Sequence, residues 1–243
     1  MYDLTRFNDD DMYNCALDLR NLDKASQNIE DIANRIVRYL YENLIDSQTD
    51  QSACALVRFF MTCPFMELSS DLQSAARNLV KGRNIASTTK CLTLMATAGD
   101  QPEWNFRQQS TGHQSIPLLD RDFINRAPMI SQLIHQFGLD VSALLEPDPA
   151  LLVDLEQTTF NVFYVPQAPG SMHIPAQQDF VIPYKIQSVL GFGGMLPSGN
   201  LFAIILFSKS PISPQVAELF KWISAYVRIS VASLDKRAVF AGR

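Results

Sequence analysis

The feature that most limits what this chain can fold into lies near its C-terminal end. Two apolar segments, residues 188–196 and 201–208, are parted by Pro197-Ser198-Gly199-Asn200. Each segment is strand length, and the four residues between them carry the chemistry of a tight hairpin. Ser213-Pro214 then opens a terminal helix. The serine hydroxyl can accept a bond from a free amide of the first turn, and proline at the first helical position gives up an amide that has no partner there. Gly191-Phe192-Gly193-Gly194 lies inside the first strand and is followed by a hairpin, not a helix. A phosphate cradle needs its glycines between a strand and a helix N-terminus, so this is close backbone packing or a bulge.

The pattern upstream supplies the remaining elements. Asp9-Asp10-Asp11 opens a short helix carrying Met12, Cys15, Leu17 and Leu19. Over residues 25–46, Ile29, Ile32, Ala33, Ile36, Val37, Leu40 and Leu44 recur at helical spacing with one buried stripe. Residues 53–66 read as a strand closed by Pro64, and 68–81 as a helix ended by Lys81-Gly82. A second strand spans 90–98, with a turn at Gly99-Asp100-Gln101-Pro102. A helix is expected at about 120–138, stopped by Gly138, another at 148–156, and a strand at 160–165. Helix, strand, strand, mid-domain helices, strand, hairpin and long helix in this order make an α+β fold with an antiparallel sheet. We expect an N-terminal extension at 1–23 and one domain over 24–243, with a helical insert at about 102–157.

Charge and cysteine content exclude several functions. Acids outnumber bases 25 to 20, for a net charge of -5, and no basic block occurs. Nucleic acid is therefore not an expected partner, since phosphate neutralisation needs clustered Lys or Arg. Met1-Tyr2-Asp3-Leu4 lacks a basic flank and apolar core, so no secretory signal is expected; the longest apolar runs are too short to cross a bilayer. Cys15, Cys54, Cys63 and Cys91 show no CxxC pairing and no His at zinc-ligand spacing. Inert buried thiols in a reducing cytoplasm are the expectation.

The last third resembles the GAF family. The residues that carry this are the strand at 161–167, Ile186-Gln187-Ser188-Val189-Leu190-Gly191, the strand at 201–208 and the closing helix at 213–234. The whole chain is similar to the N-terminal input module of bacterial hybrid sensor histidine kinases. That similarity runs through the 91–99 strand, Pro102-Glu103-Trp104-Asn105, Gly112-His113-Gln114, the segment at 128–134, Pro175-Ala176-Gln177-Gln178 and the segment at 191–201. The resemblance implies an antiparallel sheet with the N- and C-terminal helices on one side and the mid-domain helices and loops on the other. It implies a cytoplasmic sensory module that binds a small molecule and works with a histidine kinase or another signalling partner. Bilin-binding members use a Cys in a His-flanked context that this sequence lacks, so no covalent bilin is expected, and the cofactor is unknown.

Since GAF-like folds bind between the sheet and the helices over it, the resemblance makes Trp104, Arg107, His113, Gln114, Tyr164, His173 and Tyr184 the candidate ligand contacts. Trp104 is equally a core residue, His113 a loop cap and His173 an exposed loop residue. His135 on its amphipathic helix is the only candidate haem ligand, and a haem is not expected; three dispersed histidines offer no metal site. On the terminal helix, Val216, Phe220, Ile223, Val227, Val231 and Leu234 form a stripe for the sheet, while Ala217, Trp222, Ala225, Ile229 and Ala232 make other faces apolar. Those faces suit pairing with the 25–46 helix of a second copy in a homodimer; the alternative is that residues 1–23 cover them. The GAF family includes a thiol-dependent methionine-sulfoxide reductase, which brings Cys63 and Cys91 into question as nucleophiles. Neither has the required setting, and the acids Glu146, Asp148, Asp154 and Glu156 read as a solvated face, so a non-enzyme is expected. A ligand-free interaction module remains the alternative.

Overall fold

The computed structural model describes residues 1–111, 113–138, 145, 162–235 and 239–240. Its centre is a six-stranded antiparallel sheet in the order β6-β5-β4-β9-β8-β7. The strands are β4 (Cys54–Pro64), β5 (Lys90–Gly99), β6 (Ser115–Pro117), β7 (Val162–Val165), β8 (Ser188–Met195) and β9 (Leu201–Ser208). The 188–208 segment forms the expected hairpin: Leu196 N–H donates to the Asn200 carbonyl at 2.8 Å, and Gly199 takes a φ of 77° that favours glycine.

Every residue of β8 and β9 is buried because both faces of the sheet are covered. One face packs Val57, Phe59 and Met61 of β4 and Phe202, Ile204 and Leu206 of β9 against helices. These helices are α1 (Asp9–Asn21), α2 (Ile29–Asn43), α3 (Ser70–Leu79) and α6 (Pro214–Ala232). The other face carries Leu56, Phe60, Leu94, Ala203, Ile205 and Phe207. It is covered by α4 (Arg121–Asn125), α5 (Pro128–Gln136), a 3-10 turn at Pro102–Asn105 and a π turn at Gln177–Val181. This is the α+β, GAF-like arrangement expected: terminal helices on one side, mid-domain elements on the other. Each large apolar side chain sealed in this way contributes about 1.5–3 kcal/mol.

The caps follow the sequence. Asn8 caps α1 with a reciprocal bond to Asp11, Asn28 caps α2 through the Asp31 amide, and Ser213 caps α6 through the Val216 amide at 3.2 Å. Boundaries differ from expectation where local chemistry intervenes. The 25–46 helix is shorter, because Asn28 starts it afresh and Leu44 turns extended to enter β2 (Leu44–Asp46). With β1 (Tyr2–Asp3) and β3 (Gln51–Ser52), β2 forms a small three-stranded sheet that the sequence pattern does not signal. The 120–138 helix is two helices. Pro128 disfavours helical backbone at the residue before it, and Ala127 sits at φ -109°, ψ 89°. The segment at 1–23 shares its core with the rest: Leu4, Phe7 and Leu19 are buried in the same cluster as α2 and α6, and the Phe7 and Phe220 rings stack at 5.3 Å. The helix expected at 148–156 and the first two residues of the 160–165 strand lie outside the described residues, as do Glu146, Asp148, Asp154 and Glu156.

Candidate functional site

The sheet face away from the terminal helices is largely apolar, with one charged residue in it. On β4, Arg58 stands between Leu56 and Phe60, and its register partners are Thr97 on β5 and Ile205 on β9; Ile205 in turn faces Gly191. Paired residues on neighbouring antiparallel strands point to the same face. Arg58 Nη2 donates to Ser110 Oγ at 3.2 Å, from the loop that follows β5. Burial draws the guanidinium pKa down to about 10, which still leaves it charged at neutral pH. Arg58 is the site residue that sequence reasoning passed over. Its signal was a single charge inside the apolar run Ala-Leu-Val-Arg-Phe-Phe-Met-Thr.

At the next pair on the same face, the sheet opens into an aromatic cluster. Gly99 faces Leu56, and a Cβ added at Gly99 would lie 2.9 Å from Trp104 Cε3, so the missing side chain seats the indole. Asn105 locks this turn by donating to the carbonyls of Gly99 and Gln101, each at 3.0 Å. Trp104 meets Tyr184 edge-on at 4.4 Å between centroids and Phe180 at 5.6 Å, and Phe180 meets Phe207 on the sheet at 5.0 Å. Trp104, Phe180 and Tyr184 are all half-buried. Gln177 organises the loop beneath them, with its amide nitrogen donating to the carbonyls of Ala168 and Ile174 at 3.0 and 2.7 Å and its oxygen accepting from Gly170 N–H at 2.8 Å.

The candidate residues thus separate. Trp104 and Tyr184 come together on the sheet face. His113, with a positive φ of 57°, lies near Arg58. Its imidazole pKa is lowered by desolvation and by the Arg58 charge, although part of the side chain reaches solvent. Gln114 closes the loop on itself, donating to the Ser110 carbonyl at 2.7 Å. Arg107 turns the other way, pairing with Glu30 of α2 at 2.6 Å and Asp71 of α3 at 3.4 Å, and stacking over Phe240 at 5.3 Å. With its side chain 10% exposed and two carboxylates on it, Arg107 holds helices together. Tyr164 also points to the helix side, since strand alternation sends Phe163 and Val165 to the opposite face; its hydroxyl donates to the Ile212 carbonyl ahead of α6.

His173 and the backbone of Tyr164 line a separate open cleft of about 510 Å³, with Gln136, Pro166, Gly170 and Met172. This cleft lies at the β7 edge of the sheet, away from Arg58 and the aromatic cluster. Its wall holds no Asp, Glu, Lys or Arg, and we do not take it for the ligand site. His135 is exposed on α5. No cluster of three or more His, Cys, Asp or Glu able to hold a metal occurs among the described residues. Cys63 and Cys91 face each other on β4 and β5, fully buried on the helix side. Burial pushes the Cys91 thiol up to about 12 and the Cys63 thiol higher still. On α6, Ala217 is buried, Ala225 and Ala232 are half-buried, and Trp222 and Ile229 stand 63% and 49% exposed. No described helix is long and apolar enough to cross a membrane.

Fold and site together define a GAF-like α+β module with one sheet face given to helices and the other to a charged residue beside an aromatic cluster. No protein-family model matches the sequence, and no curated protein does. Among solved structures, the chain is similar to the chromophore-binding domain of an unusual bacteriophytochrome from R. palustris, with 9% identity and a TM-score of 0.42. That match covers 97% of this chain and 64% of the other. It is also similar to an N-acylhomoserine lactone-dependent LuxR-family transcription factor from Burkholderia cenocepacia, with 10% identity and a TM-score of 0.35, covering 91% of this chain and 98% of that one. The chromophore and the lactone belong to those proteins.

Proposed function

We propose that this chain is a sensory module that binds a small molecule on the sheet face between Arg58 and the Trp104–Tyr184 pair and relays the event through α2 and α6 in a homodimer. The observation that carries the reading is the juxtaposition on that face: half-buried aromatic rings beside sealed polar groups with hydrogen-bonding capacity to spare. Small-molecule sites combine a mostly apolar wall with a few convergent polar groups. The role is non-catalytic and cytoplasmic. The thiols are buried with raised pKa values, which supports the first part. A kinase or another signalling protein is the expected receiver of the relay. Trp222 and Ile229, seven residues apart on α6 and both exposed, offer the dimer surface.

Native mass spectrometry of the gently purified protein tests this reading. A dimer with a discrete retained mass is the expected result. A ligand that stabilises the fold must also raise Tm in proportion to RT ln(1 + [L]/Kd). The exposed Trp222 favours one second reading, an interaction module with no ligand. A dimer without any retained mass, and without a thermal response to any compound, would establish it.

A further inference from the structure

Arg58 is a cation in an apolar setting, and none of the described residues sets an opposite charge beside it. Its Nε is sealed from solvent and has no hydrogen-bond partner. Thr97, directly opposite on β5, is 2% exposed, and its Oγ1 is likewise sealed and unpartnered. The side chains of such a cross-strand pair start about 5 Å apart on the same face. None of the ion pairs among the described residues includes Arg58. Ser110 takes one N–H of the guanidinium, and His113, near enough to feel its charge, is pressed towards its neutral form. Two sealed, unsatisfied polar groups side by side are costly, and each calls for a partner that the described residues do not supply.

The missing partner is defined by what is left open. A guanidinium N–H and a threonine hydroxyl can both donate, and a carboxylate offers two oxygens in one plane to accept both. The wall at the next pair on the same face, Gly99 and Leu56, is where Trp104 and Tyr184 sit. We propose that Arg58 and Thr97 anchor the carboxylate of a small organic acid whose aromatic or apolar body lies against Trp104 and Tyr184. This rests on the small-molecule reading above and narrows it to an anion.

Two measurements test it, the first without any ligand. Replacing a buried unpaired charge by an apolar side chain of similar volume relieves desolvation, so Arg58→Met should raise Tm of the ligand-free protein by about 2–4 °C. A fall in Tm would mean that the guanidinium is a structural tie to Ser110 and would overturn the proposal. The second is a thermal-shift panel of aryl carboxylates (1-naphthoate, indole-3-acetate, 4-phenylbutyrate) against their primary amides. It is run on the wild type, Arg58→Met and the isosteric Thr97→Val, with native mass spectrometry of the protein as purified. We expect an acid to bind the wild type at least tenfold more tightly than its amide. Arg58→Met should abolish that preference and Thr97→Val reduce it. Acids and amides binding alike, or a retained neutral compound, would overturn the anchor and leave the small-molecule reading standing. No retained mass and no response to either series would overturn both.

Discussion

Gly193 shows how much one missing side chain can decide. A Cβ there would lie 2.1 Å from the Phe202 carbonyl oxygen and 3.0 Å from Phe137 Cε2, and the first of these neighbours is backbone that cannot step aside. Gly193→Ala should therefore destabilise the fold by about 3 kcal/mol, read as a shift of the urea midpoint without a change in slope. The glycines at 191–194 could be recognised as a packing feature from their place inside a strand, but their neighbours could not, because Phe137 is distant in sequence. Arg58 was hidden for a related reason. A charge in an apolar run gives no sign of its cross-strand partner until the register is known.

The thiols carry a pH dependence with a definite sign. Burial raises Cys15, Cys54 and Cys91 from an ordinary 9.0 to about 12, with the Asp18 and Asp11 charges adding to the effect at Cys15. Above about pH 9 the unfolded chain gives up thiol protons that the native state keeps. Stability from these groups is therefore intact below that pH and is lost as pH rises towards their folded values. Thermal melts in reducing buffer should show Tm falling from about pH 8 to about pH 10. A level profile, or rapid labelling of the native protein by a thiol reagent, would count against sealed cysteines.

At the scale of elements, local signals and long-range pairing divide the work. The caps of α1, α2 and α6 follow from Asn and Ser placed ahead of an apolar period, so Ser213→Ala should cost about 1 kcal/mol in a denaturant titration. The hairpin and the long central strands were legible for the same reason. The split between α4 and α5 was readable in principle from Pro128, but a continuous apolar period across 120–138 outweighed it. β1, β2, β3 and β6 are two or three residues long. Strands that short carry no period of their own and exist only because a partner meets them.

For the molecule as a whole, α1 occupies ground on α6 that a second copy was expected to take. α1 packs along α6, and Ala217, one of the residues expected at that interface, is sealed. The remaining apolar surface is the Trp222–Ile229 stripe, so dimerisation through α6 predicts that Trp222→Glu shifts the sedimentation coefficient to that of a monomer while leaving the melting profile of the fold largely intact. An unchanged coefficient would move the interface elsewhere. Of the candidate ligand contacts, the structure brings Trp104 and Tyr184 together on one sheet face, a meeting that the sequence pattern of the two loops does not announce. Arg107 and Tyr164 reach the helix side instead, a placement that only the folded register fixes.

Ser224 Oγ of α6 donates to the Gly193 carbonyl at 2.6 Å, while Phe137, just past α5, rests on the opposite side of the same glycine. The partition between the two halves of the protein is here one peptide thick, because the glycine adds no side chain to it. A wall transmits displacement best at its thinnest point. For the proposed relay, a movement of Phe137 by a fraction of an ångström need not bend the sheet to be felt by α6, because a single carbonyl couples the two.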